Sequence, residues 1–328
     1  MTATTAILGL LAQTSIHAGA GSQTGIIDLP IQREGHNGWP CVFGSAVKGA
    51  LRDRAEQQII EGKPADKSYE DIQKDDAIVS VYGAPPKQSG ESSAGAIIVT
   101  DARLLLFPVR SLTSQFKWVT CPDALRRYLA DSKRLGLPVD FDVSELANIG
   151  ENQAIIHNVS DNNQPSQPKI HNTNNADSLF LEEYRFVVEP PPKDLCKVIS
   201  ALVQLMQRDD AKQALKNQLV IVSNDNFTHL VNHATPVNAH IALDALTKTT
   251  QGGALWYEET LPPETLLYIG LSANASRQEK PTKENPRKTA EEVLNQVRNI
   301  FKKSPYLQLG GNETVGMGWC IVKEPEGK

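Results

Sequence analysis

The stretch ATTAILGLLAQTSIHAGAGSQTGIIDLPIQRE (residues 3–34) changes character in its middle. Residues 3–14 are apolar with β-branched residues at their start, and they predict a strand. From His17 to Glu34 no helical or strand period survives, and the stretch with Gly19, Gly21, Gly25 and Asp28 reads as a loop. In GSAVKGALRDRAEQQII (44–60), Val47, Ala50, Leu51, Ala55 and Ile59 recur at helical spacing behind Ser45 as a cap, so a helix is expected over 45–61. The opening unit is strand, glycine loop, helix.

Downstream, AGAIIVTDARLLLFPV (94–109) reads as a long strand interrupted at Asp101–Arg103, and DALRRYLADSKRLG (123–136) as a helix ended by Gly136. Strands are expected at 179–189, 236–243, 254–260 and 265–272, and helices at 194–208, 225–233 and 289–302. The fold class is α+β with antiparallel hairpins. Three polar segments, 85–95, 160–178 and 273–290, are rich in Pro, Ser or Asn and read as mobile loops.

With 328 residues, 40% of them hydrophobic, the chain can build a sizeable core as one large domain or two ordinary ones. A net charge of −5 gives the whole molecule no field for nucleic acid or anionic membranes, so any basic face is local. Residues 277–303 hold such an excess, eight Lys or Arg against four Glu. Cys41, Cys121, Cys196 and Cys320 stand far apart without a CxxC, which reads as reduced, mostly buried thiols in a cytoplasmic protein. The apolar run at 6–12 is too short to span a bilayer and lacks a basic leader, so no membrane association is expected.

Four stretches have unusual chemistry, and each also has an ordinary reading. Glycines in the 17–34 loop let backbone amides approach an anion, or they serve turns. His17 and Asp28 could move a proton or hold a metal beside a phosphate; equally, His17 could be a hydrogen-bonded strand end and Asp28 a loop carboxylate. Ser45, Lys48 and Arg52 cluster at a helix N-terminus that itself attracts anions, although the same cations could form a solvated face with Asp53 and Glu56. GGNETVGMGW (310–319) could let backbone pass close to RNA, or could be a bulged hairpin. Finally, 238–271 reads as a hairpin whose return strand carries Tyr257, Glu258 and Glu259. Adjacent strand residues face opposite ways, so at most one of these glutamates serves a given cleft, and both could simply be exposed acids.

Taken in order, GIIDLPIQRE (25–34), FGSAVKGALR (43–52), VTDARLLLFPVRS (99–111), IALDALTKTTQGGALWYEETLP (241–262) and GGNETVGMGW resemble the RAMP superfamily of CRISPR RNA-binding proteins. The wording is most similar to the repeated backbone subunit of type III-B (Cmr) effector complexes. That resemblance implies a single domain over 1–328, with a modified RRM-like (ferredoxin-like) palm, inserted fingers and a β-hairpin thumb within about 215–260. It implies copies stacked along a guide RNA beside other type III-B subunits, with thumbs wedged into the guide–target duplex and target RNA cut at regular intervals.

By motif position the cutting acid is Asp28, which could take a 2′-OH proton or hold a divalent cation, Mg or Mn. His17, Glu258 and Tyr257 are supporting catalytic candidates. The resemblance assigns RNA contact to Ser45, Lys48, Arg52, Gly310, Gly311, Thr314, Gly316 and Met317. Two other readings stay open: a non-catalytic RNA-binding backbone subunit, and a RAMP endonuclease that processes precursor CRISPR RNA through His17.

Overall fold

In the computed structural model the central strand β1 (Thr4–Ala12) is buried from Ala6 onward, because both of its faces are covered. Its side chains alternate between two cores: Ala6, Leu8, Leu10 and Ala12 join one, while Ile7 and Leu11 join the other. The structure describes residues 4–62, 68–84, 94–112, 114–137, 139–157, 170–171, 177–277 and 286–326. Most of 85–95 and 160–178 and the middle of 273–290, expected as mobile loops, lie outside the described residues.

β1 pairs antiparallel with β13 (Leu266–Ala273) on one side and β15 (Trp319–Lys323) on the other, and β13 pairs with β4 (Ala102–Ser111). The full sheet runs β14 (Tyr306–Gln308), β15, β1, β13, β4, β5 (Ser114–Thr120), β10 (Leu219–Ile221), β6 (Gln153–Ile156), β9 (Tyr184–Glu189), β8 (Asp177–Leu181), β7 (Ile170–His171). Short strands β2 (Cys41–Val42) and β3 (Ile97–Val99) pair with β4 and β13. The β5–β10 and β6–β9 pairs are parallel, so the sheet is mixed.

On one face, α1 (Gly44–Gly62) and α8 (Ala290–Asn299) bury Val47, Leu51, Val293, Leu294 and Val297. A short α2 (Tyr69–Gln73) leads into α3 (Asp76–Tyr82), which adds Ile78 and Val81 to the same core, and α7 (Asn224–His233) adds Phe227, Leu230 and Val231. On the other face, α4 (Pro122–Arg134), α5 (Leu195–Val203) and α6 (Ala211–Gln218) supply Leu125, Tyr128, Val198, Ile199 and Leu215. This is the expected α+β class. All four cysteines are free, with Cys196 exposed and the others buried. Among the described residues no helix is long and apolar enough to cross a membrane.

The details depart from the sequence reading in instructive ways. The expected strand 179–189 is two strands, β8 and β9, folded back at Glu182, which adopts φ +50°. The long strand at 94–109 is interrupted as expected, because Asp101 leaves the ladder and accepts a 2.7 Å hydrogen bond from the Gly44 amide. That bond also corrects the cap. Helix α1 begins at Gly44, so Ser45 lies exposed inside its first turn while Asp101 serves the N-terminus.

β11 (Val237–Leu243) and β12 (Thr250–Glu259) form a separate two-stranded sheet. Its register sets Val237 against Glu259, Ala239 against Tyr257 and Ile241 against Leu255. The hairpin stands away from the core: Val237, Ile241, Leu243, Leu246, Leu255 and Tyr257 are all exposed. At its root the return strand dives inward, and Glu258, Glu259 and Thr260 are buried. Residues 215–233, included in the expected thumb region, are built instead into α6, β10 and α7 of the main body.

Candidate functional site

The 17–34 segment is more ordered than a glycine loop suggests. Ala20 N donates to Pro30 O and Gln32 N to Ala18 O, with Gly19 bridged to Ile31, so its two ends pair as a small hairpin. Of its three glycines only Gly21 takes a positive φ. The exposed tip carries Ile26, which is 94% exposed. Behind the tip, the chain pairs with the root of the thumb-like hairpin: Leu29 N donates to Tyr257 O at 3.1 Å and Glu259 N to Leu29 O at 3.0 Å. Asp28 extends this lacing through its side chain, since its Oδ2 accepts a 2.8 Å hydrogen bond from the Tyr257 amide. The Asp28 carboxylate is therefore fixed to β12, half-exposed beside an exposed Tyr257 ring.

Glu258 and Glu259 face opposite ways, as their adjacency on a strand demands, but both are buried rather than exposed. Glu258 accepts from Asn312 Nδ2 through Oε1, and the same oxygen lies 3.4 Å from His17 Nδ1. His17 Nδ1 is also 2.8 Å from the Glu259 carbonyl, and the residue is only 8% exposed. Glu259 takes the other direction. Its Oε1 meets Arg33 at 2.5 Å and Thr235 Oγ1 at 2.7 Å, and its Oε2 accepts from the Ile31 amide at 3.1 Å.

The C-terminal glycine segment closes this corner from the third side. Gly311 N donates to His17 O at 2.8 Å, and Gly310, at φ +85°, lies against the same carbonyl with no room for a Cβ. Asn312, at φ +60°, aims its amide at Glu258 and holds Met317 Sδ 3.6 Å away. Thr314 and Gly316 are exposed next to it.

Ser45, Lys48 and Arg52 belong to a second place, the mouth of α1. A concave site of about 580 Å³ is lined there by Ser45, Lys48, Gly83, Ile97, Ile98 and Arg277. Lys48 Nζ donates to Ile97 O at 3.2 Å, and partial burial together with Arg277 and Arg52 holds its ammonium below the usual lysine range. Arg52 is engaged internally: it reaches Glu56 Oε1 at 2.7 Å and the carbonyls of Gly83 and Gln73. The two places are linked through Gln32, whose Oε1 accepts from Phe43 N and whose Nε2 donates to Gly19 O. They also meet at Asp53, whose carboxyl is pushed up by burial and by the nearby Glu313 and Glu56 carboxylates.

The fold thus brings His17, Asp28, Tyr257, Glu258 and the 310–317 segment into one corner and leaves Ser45, Lys48 and Arg52 at a neighbouring mouth. Sequence reading passed over Arg33, Asn312 and the position of Arg277. Asn312 was the most findable of these, because Asn between glycines and a turn tolerates the left-handed conformation. Among the described residues no group of three or more His, Cys, Asp or Glu side chains is placed to hold a metal. Asp28 remains suitable as a single carboxylate ligand, the kind of site in which magnesium keeps its waters and takes substrate phosphate oxygens as further ligands. Glu258 and Glu259, engaged in opposite directions, do not join it.

A mixed sheet with helices on both faces, closed by a C-terminal glycine segment and carrying an outlying hairpin, defines a RAMP-type protein. The RAMP superfamily model matches residues 10–321, and the chain belongs to that superfamily. It is 31% identical over 316 residues to the CRISPR system Cmr endoribonuclease Cmr4 of Pyrococcus furiosus, covering 96% of this chain and 94% of that protein. The crystal structure of oligomeric Cmr4 from Pyrococcus furiosus superposes with a TM-score of 0.64 at 25% identity, covering 100% of both chains. A chain in the cryo-EM structure of the type III-B Cmr-beta complex bound to cognate target RNA shares the fold, with a TM-score of 0.66 at 19% identity over 98% of this chain and 96% of that one.

Proposed function

We propose that this chain is a backbone subunit of a type III-B CRISPR (Cmr) effector complex that binds guide RNA, assembles with further copies and other effector subunits, and cleaves paired target RNA. The similarity to an oligomeric Cmr4 and to a complex bound to target RNA supports those partners. The sheet order β15-β1-β13-β4, with α1 following β1 and α8 following β13, supports an RRM-like (ferredoxin-like) palm in one domain. The β11–β12 hairpin is the thumb, and the elements inserted into the palm supply the fingers.

The observation that carries the reaction is the attachment of Asp28 to the thumb's return strand. Self-cleavage of RNA by its 2′-OH needs a base, an in-line geometry and neutralised charge. A regular A-form duplex holds the nucleotide out of line, so an apolar thumb that unstacks it supplies geometry. Asp28 Oδ2 is fixed by the Tyr257 amide, and Oδ1 receives the 2′-OH proton. The 2′-oxygen then bonds to phosphorus as the P–O5′ bond breaks, leaving a 2′,3′-cyclic phosphate and, after protonation, a 5′-OH. Where a divalent cation (Mg or Mn) is used, Asp28 would hold it as the carboxylate instead of taking the proton itself, and the cation would supply charge neutralisation at the scissile group and lower the pKa of the attacking 2′-OH. His17 and Glu258 support the corner from inside, and Tyr257 flanks the acid. Ser45, Lys48 and Arg277 at the α1 mouth, with the exposed 310–317 segment, hold the guide backbone; Arg52 shapes that mouth from beneath.

The test is Asp28→Asn in a reconstituted complex. Target cleavage is expected to fall at least about 10³-fold with guide and target affinity retained; cleavage at the wild-type rate would return the chain to a non-catalytic, RNA-binding backbone role. Chelation with EDTA in the same assay checks the cation: cleavage that persists without divalent metal removes it from the mechanism.

A further inference from the structure

In GIIDLPIQRE, Asp28 accounts for only one residue, yet the three that end the motif are each spent on a different part of the molecule. Gln32 joins the Gly19 carbonyl to the Phe43 amide in front of α1. Glu34 receives Arg127 of α4 at 2.7 Å on both oxygens. Arg33 has the widest reach: Nη1 lies 2.9 Å from Gly38 O, 3.1 Å from Val231 O and 2.8 Å from Asn232 Oδ1 at the end of α7, while Nη2 meets Glu259 at 2.5 Å.

Glu259 is the point where these elements converge. Its side chain, 4% exposed, receives the loop through Ile31 N, the entry to β11 through Thr235 Oγ1, and Arg33. Its own amide donates to Leu29, one residue beyond Asp28. The Asp28 segment and both strands at the thumb root therefore share one charge pair, with its carboxylate buried and its guanidinium part-exposed, and Arg33 ties that pair to α7 of the body.

We infer that Arg33 and Glu259 are positioning residues that fix the Asp28 carboxylate relative to the thumb, so that acid and wedge meet the distorted nucleotide as one rigid unit. The inference rests on the reading of Asp28 as the cutting acid. Neither residue touches RNA in this role. A guanidinium nitrogen bonded to a buried carboxylate is directional: loss of Arg33 leaves the Glu259 charge buried without its cation, so the loop must move to solvate it, and loss of the Glu259 charge removes the bond that holds the loop to Arg33. A displacement of about 1 Å at the acid is enough to lower a rate about 10²-fold.

The experiment compares Arg33→Ala, Arg33→Lys, Glu259→Gln and the Arg33→Ala/Glu259→Gln double variant in the reconstituted complex, with Asp28→Asn alongside. Cleavage is read as a single-turnover rate at saturating complex, and target affinity is measured separately. The expected result is a fall of about 10²-fold in rate for Arg33→Ala and Glu259→Gln, with affinity changed less than about 3-fold. Arg33→Lys, which keeps charge without the fork, is expected between wild type and Arg33→Ala, and the double variant no slower than the worse single. If Arg33→Ala fails to assemble, Arg33→Lys and Glu259→Gln decide alone.

Wild-type rates in these variants while Asp28→Asn is inactive would overturn the inference, as would losses confined to affinity or losses that multiply in the double variant. Cleavage by Asp28→Asn at the wild-type rate would instead strike the underlying reading of Asp28.

Discussion

The corner at the thumb root and the mouth of α1 sit side by side but treat their charges in opposite ways. In the corner, Glu258 and Glu259 are buried and paired with Asn312, His17 and Arg33, and one carboxylate, Asp28, stays half-exposed. At the mouth, Lys48 and Arg277 line the same concavity with Arg52 behind them, and partial burial, with repulsion from Arg277 and Arg52 added to it, holds the Lys48 ammonium below the usual lysine range. Internal neutralisation gives a rigid frame that can aim one group. At the mouth Arg52 is neutralised by Glu56, whereas Lys48 donates only to the Ile97 carbonyl among the described residues, so the grip there is completed by an anion. Shape is built in the first place and affinity in the second.

The largest effect that separates them is expected from Gly310→Ala. At φ +85° an L side chain is strained, and its Cβ would meet the His17 carbonyl, a backbone atom that cannot step aside alone. Stability is expected to fall by about 1–3 kcal/mol and cleavage more than 10-fold as the corner opens, by roughly the strain of an over-determined left-handed residue plus displacement of the acid. The share of guide affinity that comes from Ser45, Lys48 and Arg277 at the α1 mouth should hold, while the share from the 310–317 segment should fall with the corner. Gly316→Ala is the internal control: its φ is +83° but its Cβ would meet open space, so only about 1 kcal/mol is expected. Thermal unfolding of the two variants, read beside their cleavage rates, would break the comparison if they behaved alike.

How much of this could be read from sequence follows the range of each interaction. Helix α4, helix α7 and strand β13 announce themselves through local period and caps, and they lie within a few residues of expectation. The short α6 and the three-residue β10 did not, because so few residues carry no period and their stability comes from burial of Leu215 and Val220 against distant elements. Asp28 was legible only through resemblance to a family; composition and spacing left it an ordinary loop acid. The partners that give it a position are further still from local reading, since Arg33 and Glu259 stand 226 residues apart in sequence. Alternation did establish that Glu258 and Glu259 face opposite ways. It gave no hint that both would be buried, because that depends on the loop and the C-terminal segment that cover them.

A smaller effect is expected at the mouth. Lys48→Ala should weaken guide-RNA binding without slowing cleavage at saturation, and should reduce the slope of log K against log salt by about 0.7, the share of one single-strand phosphate contact. The pH dependence has a definite sign. Free Lys48 has a lowered pKa from burial, Arg277 and Arg52, and a docked phosphate raises it again, so binding takes up a proton when the pH lies between the two values. Guide affinity of the wild type is therefore expected to decline as pH rises from that lowered value toward the ordinary lysine value, and the decline should flatten in Lys48→Met. A salt slope and a pH profile unchanged by either substitution would remove Lys48 from the grip.

The smallest change in stability is expected farthest from the corner, at the thumb tip. Leu246 is 93% exposed and sits beyond the paired strands, so it contributes little to the core, and Leu246→Ser should leave unfolding within about 0.5 kcal/mol of wild type. That neutrality makes the variant informative. An apolar residue displayed on a hairpin that buries its acids only at the root has no folding role to lose, so a drop in cleavage would report contact with the guide–target duplex. Equal cleavage by Leu246→Ser would move the wedging surface down the hairpin to Ile241 and Leu255. These two side chains face each other across the strands, nearer to Tyr257 and the amide that holds Asp28. Either outcome measures how far from the acid the duplex is opened, and so how much of the thumb the rigid root has to aim.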